Sequence, residues 1–223
     1  MDVSERPRVF RGEFDDEGVY IYQAFNESIA KYAVEHQKFL GCPDFRPDRM
    51  TWIKPSFGWV LYRSGYGTKH NQTRVLKVKL SHEAMAHILE RCKLTTHSLE
   101  KSVDFAETAT ESTAFGRVQW DPERDLLSVS ETGREPRRML RQRAIQIGVA
   151  HALSKYYVES VISIEDVTEL SHRVREWHLR NYKKSPKNLV TWEEFEADLK
   201  LPDEKPYMPV CNIKTLKRLE MVE

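Results

Sequence analysis

The sequence predicts an α+β fold: a mixed, largely antiparallel sheet with flanking helices, closed into a single compact domain. Three observations carry this. Segments that alternate apolar and polar residues, such as RVLKVKL at 74–80, read as half-buried strands. Segments with apolar residues three and four apart, opened by Asn, Ser or Asp, read as amphipathic helices, and the two kinds are interspersed along the chain. The 223 residues, 40% hydrophobic and 31% charged, suit one sizeable core and do not demand two.

Taken in order, residues 1–17 are expected to form a charged lead-in and 18–25 (GVYIYQAF) a strand rich in aromatic and β-branched types. Asn26 caps a helix over about 27–39, and the two-proline stretch 41–49 is a loop. The aromatic stretch 50–63 suggests a helix with Pro55 in its first turn and Gly65 at its end. Trp59 and Arg63, four apart, would share one face. In the strand 74–80, Leu76, Val78 and Leu80 face inward and Lys77 and Lys79 outward. Ser81 then caps a helix to about Cys92. The Thr/Ser-rich residues 94–114 are read as a loop. Strands follow near 115–120, 125–130 and 143–149, then a helix from about Gly148 and a short strand at 160–164. Asp166 with Glu169, and Thr191 with Glu194, have the spacing of capping boxes for two further helices. The domain is expected to span 18–200, with 201–223 an extended tail packed on it.

Several function classes are excluded on spacing. Net charge is +1, so any basic site must be local. No apolar run approaches the roughly 20 residues that span a bilayer, and the N-terminus lacks the apolar core of a secretory signal. Cys42, Cys92 and Cys211 are far apart and odd in number, which points to buried free thiols in a reducing, cytoplasmic or nuclear setting. His82 and His87 are five apart, about 140° around a helix, where a zinc-protease pair needs four. No metal is therefore expected. Gly65-Tyr66-Gly67-Thr68-Lys69 lacks the order of a Walker loop, and neither a dinucleotide fingerprint nor a nucleophile elbow occurs.

Three clusters remain. Residues 49–74 interleave Arg49, Lys54, Arg63, Lys69 and Arg74 with Trp52, Trp59, Tyr62 and Tyr66. Cations fix phosphates, aromatic faces stack bases, and Ser64, Thr68, Asn71 and Gln72 suit ribose or amide groups. The plain alternative is that the aromatics are core and the charges a solvated rim. In GRVQWDPERD at 116–125, Trp120, Asp121 and Arg124 sit where a strand meets a turn. Asp121 either starts that turn or serves as a hydroxyl ligand or general base. The third cluster, 133–148, carries Arg134, Arg137, Arg138, Arg141 and Arg143, a solvated face or an RNA contact. Its strand sets Gln146 between the small residues Ala144 and Gly148, which leaves space for a ligand or for close packing.

YQAF at 22–25, MTWIKPSF at 50–57, YRSGYGTK at 62–69, VQWDPER at 118–124, RAIQIG at 143–148 and IEDVT at 164–168 together resemble a family catalogued as domain of unknown function 4291. The resemblance spans about residues 18–180 and implies no particular activity. A weaker, fold-level resemblance is to the ADP-ribosyltransferase superfamily. Its members are small α+β proteins that bind nicotinamide dinucleotide without a Gly-rich fingerprint or a metal. They carry His or Arg on an early strand and a catalytic Glu on a late one. The analogous positions here hold Gln23 and Gln146, which depart from both types.

The leading expectation is a nucleotide-binding transferase, ADP-ribosyltransferase-like and acting on nucleic acid, with NAD or another nucleotide as cofactor. Arg49, Lys54 and Arg63 would hold phosphates, and Trp59 or Tyr62 would stack a base. Thr68, Lys69, Asn71, Trp120 and Arg143 complete the ligand set, with Gln146 orienting ribose or amide groups and Asp121 as base. The alternatives are a non-catalytic RNA-binding module using the arginine run at 134–143, and a protein-interaction domain without a small ligand.

Overall fold

The computed structural model describes residues 8–95, 116–126, 139–181 and 199–222. Nine strands and six helices are named here. Strands β1 (Arg11–Gly12), β2 (Gly18–Phe25) and helix α1 (Glu27–His36) come first. Then follow β3 (Thr51–Ile53), α2 (Phe57–Ser64), β4 (Arg74–Ser81), α3 (His82–Glu90) and β5 (Cys92–Leu94). The chain continues with β6 (Gly116–Arg124), β7 (Met139–Val149), α4 (His151–Glu159), β8 (Val161–Asp166) and α5 (Thr168–Asn181). It closes with β9 (Lys205–Pro206) and α6 (Ile213–Arg218). The expected loop at 94–114 begins one residue later, since Leu94 ends β5, and from 96 onward it lies outside the described residues, as do most of the strand at 125–130, the connection at 183–190, the helix opened by Thr191 and three of the five clustered arginines.

Two sheets dominate, the antiparallel β2-β4-β8 and the mixed β3-β7-β6-β5, in which β5 and β6 alone run parallel. They meet where the Tyr22 amide donates to the Lys54 carbonyl at 2.6 Å. The larger core gathers Val19, Ile21, Leu76, Val78 and Leu80 with Met85 and Leu89 of α3 and Ile145, Ile147 and Val149 of β7. A smaller core joins Tyr22 and Val75, on the opposite face of β2 and β4, to Phe57, Val60 and Leu61 of α2 and Val174 of α5. Alternation along a strand explains both: neighbouring residues serve opposite faces, and here both faces are covered.

Helix starts follow local chemistry. The side chains of Asn26, Ser56 and Ser81 each accept an amide three residues on, from Ile29, Trp59 and Ala84. Gly65, at φ 58°, ends α2. Pro55 lies just before that helix rather than inside it, because residues 51–53 pair with β7 as a strand. The expected outward pair on β4 is corrected: Lys79 is buried, held by Asp15 at 2.9 Å and by Glu17, and Lys77 is half-buried against Glu13. The lead-in supplies those acids, and its Phe10 enters the larger core. The C-terminal segment, expected to be extended, carries a helix as well as a strand. β9 pairs β1, α6 docks, Leu216, Leu219 and Met221 are buried, and the Trp120 indole donates to the Leu219 carbonyl at 3.0 Å. Cys42 and Cys92 are buried free thiols. No helix of the described residues is long and apolar enough to cross a membrane.

Candidate functional site

A cleft of about 660 Å³ opens where β2 runs into α1, beside the loop before β3. That size is in the ordinary range for small-ligand sites. One wall is the end of β2, from Gln23 to Asn26. A second is the loop Asp44–Met50 running into Thr51, Trp52 and Lys54. A third is α2, through Val60 and Arg63, one turn apart, with Asn71 and Gln72 of the following turn. Phe25, Phe45, Met50 and Trp52 give it apolar surface.

The lining carries four cations, Arg46, Arg49, Lys54 and Arg63, against one carboxylate, Asp44. Asp44 accepts from the Ser28 hydroxyl. Among the described residues the guanidinium groups of Arg46, Arg49 and Arg63 have no hydrogen-bond or ion-pair partner. Among the described residues Lys54 hydrogen-bonds only the Trp52 carbonyl, at a long 3.4 Å. Burial and the Arg63 charge push its amine down to about 8, against the opposing pull of Asp121. A concave surface with this excess of unneutralised donors has the chemistry to hold an anion.

Gln23 fixes the floor. Its amide donates to Thr51 Oγ1 at 2.9 Å and to the Trp52 carbonyl at 3.1 Å, and its oxygen accepts from the buried Tyr157 hydroxyl at 2.6 Å. Every capacity of the early-strand glutamine but one lone pair is thereby used within the fold.

The other expected residues are placed as follows. Arg49, Lys54, Arg63 and Asn71 come together on the cleft. Trp59 and Tyr62 lie on the next face of α2, ring centroids 5.1 Å apart, with the Arg124 guanidinium 3.7 Å above the Tyr62 ring. Arg63 stands about 40° around the helix from Trp59 and about 60° from Val60, so it borders both faces, and of these it is Val60 and Arg63 that line the cleft while Trp59 does not. The Thr68 hydroxyl donates to the Gly65 carbonyl at 2.7 Å, and Lys69 donates to the Arg63 carbonyl at 2.9 Å; both finish α2. Gly65, Tyr66 and Gly67 all have positive φ, and Tyr66 is buried, so this loop turns the chain. Trp120 is core, and Arg143 is exposed opposite Pro122.

Asp121 is corrected in its setting. It lies within β6, not in a turn. Pro122 is tolerated there because the pairing with β7 shifts register just beyond it. Asp121 accepts from Gln119 at 2.9 Å and from Gln146 across the ladder. Neither Asp121 nor Gln146 lines the cleft. The small side of β7 is closely packed: a Cβ on Gly148 would meet the Trp52 ring at 3.1 Å and Met50 Cε at 2.8 Å. His82 and His87 take separate partners, the first bonding the Tyr207 hydroxyl at 2.9 Å and the second stacking on Tyr156. Arg46 and Phe45 escaped sequence reasoning. The spacing Arg46-Pro47-Asp48-Arg49, two cations in a proline-stiffened loop, was the available signal.

The family model described as Domain of unknown function (DUF4291) matches residues 9–207. No curated protein matches the chain.

Proposed function

The chain belongs to the DUF4291 family, and we propose that it is a nucleotide-binding transferase whose cleft takes the phosphates of its nucleotide among Arg46, Arg49, Lys54 and Arg63. The observation that carries this is the convergence of three guanidiniums, unpartnered among the described residues, on one cleft with aromatic walls. Arginine forks suit phosphate oxygens, and Phe25, Phe45 or Trp52 takes the base in place of Trp59 and Tyr62. Asn71 and Gln72 serve the ribose. Asp121, with its oxygens bonded by two amides, acts through its charge at Lys54. The finer reading is ADP-ribosyltransferase-like, with NAD as the nucleotide. It draws only on the position of the early-strand Gln23 at the cleft border, since the glutamine itself departs from the His or Arg of that superfamily.

A thermal-shift panel with NAD, ADP-ribose, AMP and ATP tests it. A ligand at a hundred times its Kd adds about 2.7 kcal/mol, or roughly 5–10 °C for a chain of this size. The double variant Arg49→Ala/Arg63→Ala is expected to keep its melting temperature and lose affinity by about tenfold to a hundredfold per guanidinium. A flat panel, or a variant that binds equally well, removes the proposal. A shift with single-stranded RNA alone, steeply salt-dependent and tracking the exposed Arg141 and Arg143, would put the RNA-binding module in its place.

A further inference from the structure

Lys54 differs from the other lysines near the two sheets. Lys77 pairs with Glu13 at 2.8 Å, Lys79 with Asp15 at 2.9 Å, and Lys69 donates to a helix carbonyl. Lys54 has no ion-pair partner among the described residues, and its single hydrogen bond is long. It shares the cleft with Arg46, Arg49 and Arg63. The two carboxylates able to offset them are already engaged, Asp121 by Gln119 and Gln146, and Asp44 by Ser28.

A half-buried amine among guanidiniums gives up its proton readily. Pushed down to about 8, roughly a quarter of it is free amine at pH 7.5, against about a thousandth for an ordinary lysine. The same cleft holds phosphate-binding groups and the neutral donors Asn71 and Gln72, suited to sugar hydroxyls.

Resting on the phosphate reading of the cleft, we infer that Lys54 is a nucleophile and that the cleft takes a 5-phosphorylated reducing ribose, free or within a nucleotide. Arg49 and Arg63 hold the phosphate, and the amine of Lys54 attacks the carbon of the opened aldehyde. The nitrogen–carbon bond forms and the carbonyl oxygen becomes a hydroxyl. That hydroxyl leaves as water with the second amine proton, and an imine remains. Nothing is oxidised or reduced. Asp121, clamped by two glutamines, is a positioning residue that tempers the amine through its charge.

The test is to incubate the full chain with ribose 5-phosphate, with ribose, or with ADP-ribose in the presence of cyanoborohydride, and to map the reduced adducts by mass spectrometry. Lys54 is expected to label at least about tenfold faster than exposed lysines such as Lys31 and Lys155, because more of it is unprotonated. That selectivity should require the phosphate and vanish in Arg49→Ala/Arg63→Ala, and Lys54→Arg should lose the adduct altogether. Labelling by ADP-ribose at lower concentration assigns the nucleotide as the source; the reverse assigns the free sugar phosphate. Label spread evenly over exposed lysines overturns the inference even where nucleotides still raise the melting temperature. If no nucleotide shifts the melting temperature either, the phosphate reading falls with it.

Discussion

Replacing Gln23 by Leu severs three hydrogen bonds at the floor of the cleft while nearly conserving volume. The amide's bonds to Thr51 and Trp52 and its acceptance from Tyr157 all go. The hydroxyl of Tyr157 is the costliest loss, because the ring is fully buried and the hydroxyl has no other partner among the described residues. A buried donor left unpaired costs about 1–3 kcal/mol, and each ordinary bond about 1 more. The sum is on the order of 3 kcal/mol, or a melting temperature lower by about 6–12 °C. Adding Tyr157→Phe removes the orphaned hydroxyl, so the double variant should be about 1–2 kcal/mol more stable than the two single losses combined. Urea denaturation followed by tryptophan fluorescence reads this as a shifted midpoint at constant slope. A loss under about 0.5 kcal/mol, or strict additivity, would refute the assignment of Gln23 as the structural tie between β2, β3 and α4. Unchanged stability with ligand affinity gone would instead return Gln23 to the ligand.

Three further outcomes are expected. Glu204 accepts the Phe57 amide at 2.6 Å beside Glu123, which takes the Ser56 hydroxyl; burial and the Glu123 charge push the Glu204 carboxyl up to about 8. The folded state then binds more protons than the unfolded state between about pH 4.5 and 8. Stability from this group is complete below that window and is lost as pH rises through it, so the melting temperature should fall from pH 5 to pH 8, and Glu204→Gln should flatten the profile. Trp120→Phe deletes the bond to the Leu219 carbonyl and should cost about 1–2 kcal/mol, with faster hydrogen exchange concentrated in residues 213–221. Gly18→Ala would place a Cβ 2.0 Å from the Leu80 carbonyl oxygen, a backbone atom that cannot yield, and should cost roughly 3 kcal/mol or more in a denaturation midpoint.

Much of the candidate site was legible because it is local. Lys54, Arg63 and Asn71 lie within one short stretch whose turns are set by Ser56, Gly65 and Gly67, so neighbours in sequence became neighbours in space. That the cleft would take Val60 and Arg63 of α2 and leave out Trp59 was not legible. Helix rotation depends on what the helix packs against, and α2 turns Val60 and Leu61 toward Tyr22 and Val174. Arg46 joined the cleft only because its loop folds back over the start of α1.

By itself the sequence determined the α+β class, the strands at 18–25 and 74–80, and the helices capped by Asn26 and Ser81. Alternation and capping are decided within a few residues of where they act. Tertiary structure alone decided that Asp121 meets Gln146, that Lys79 is buried among acids from the lead-in, and that Trp120 anchors the C-terminal helix. Those contacts join residues 25 to 99 positions apart, or depend on which of two sheet faces a second layer covers. No local pattern carries that information, because it resides in the register and packing of partners brought together by the fold.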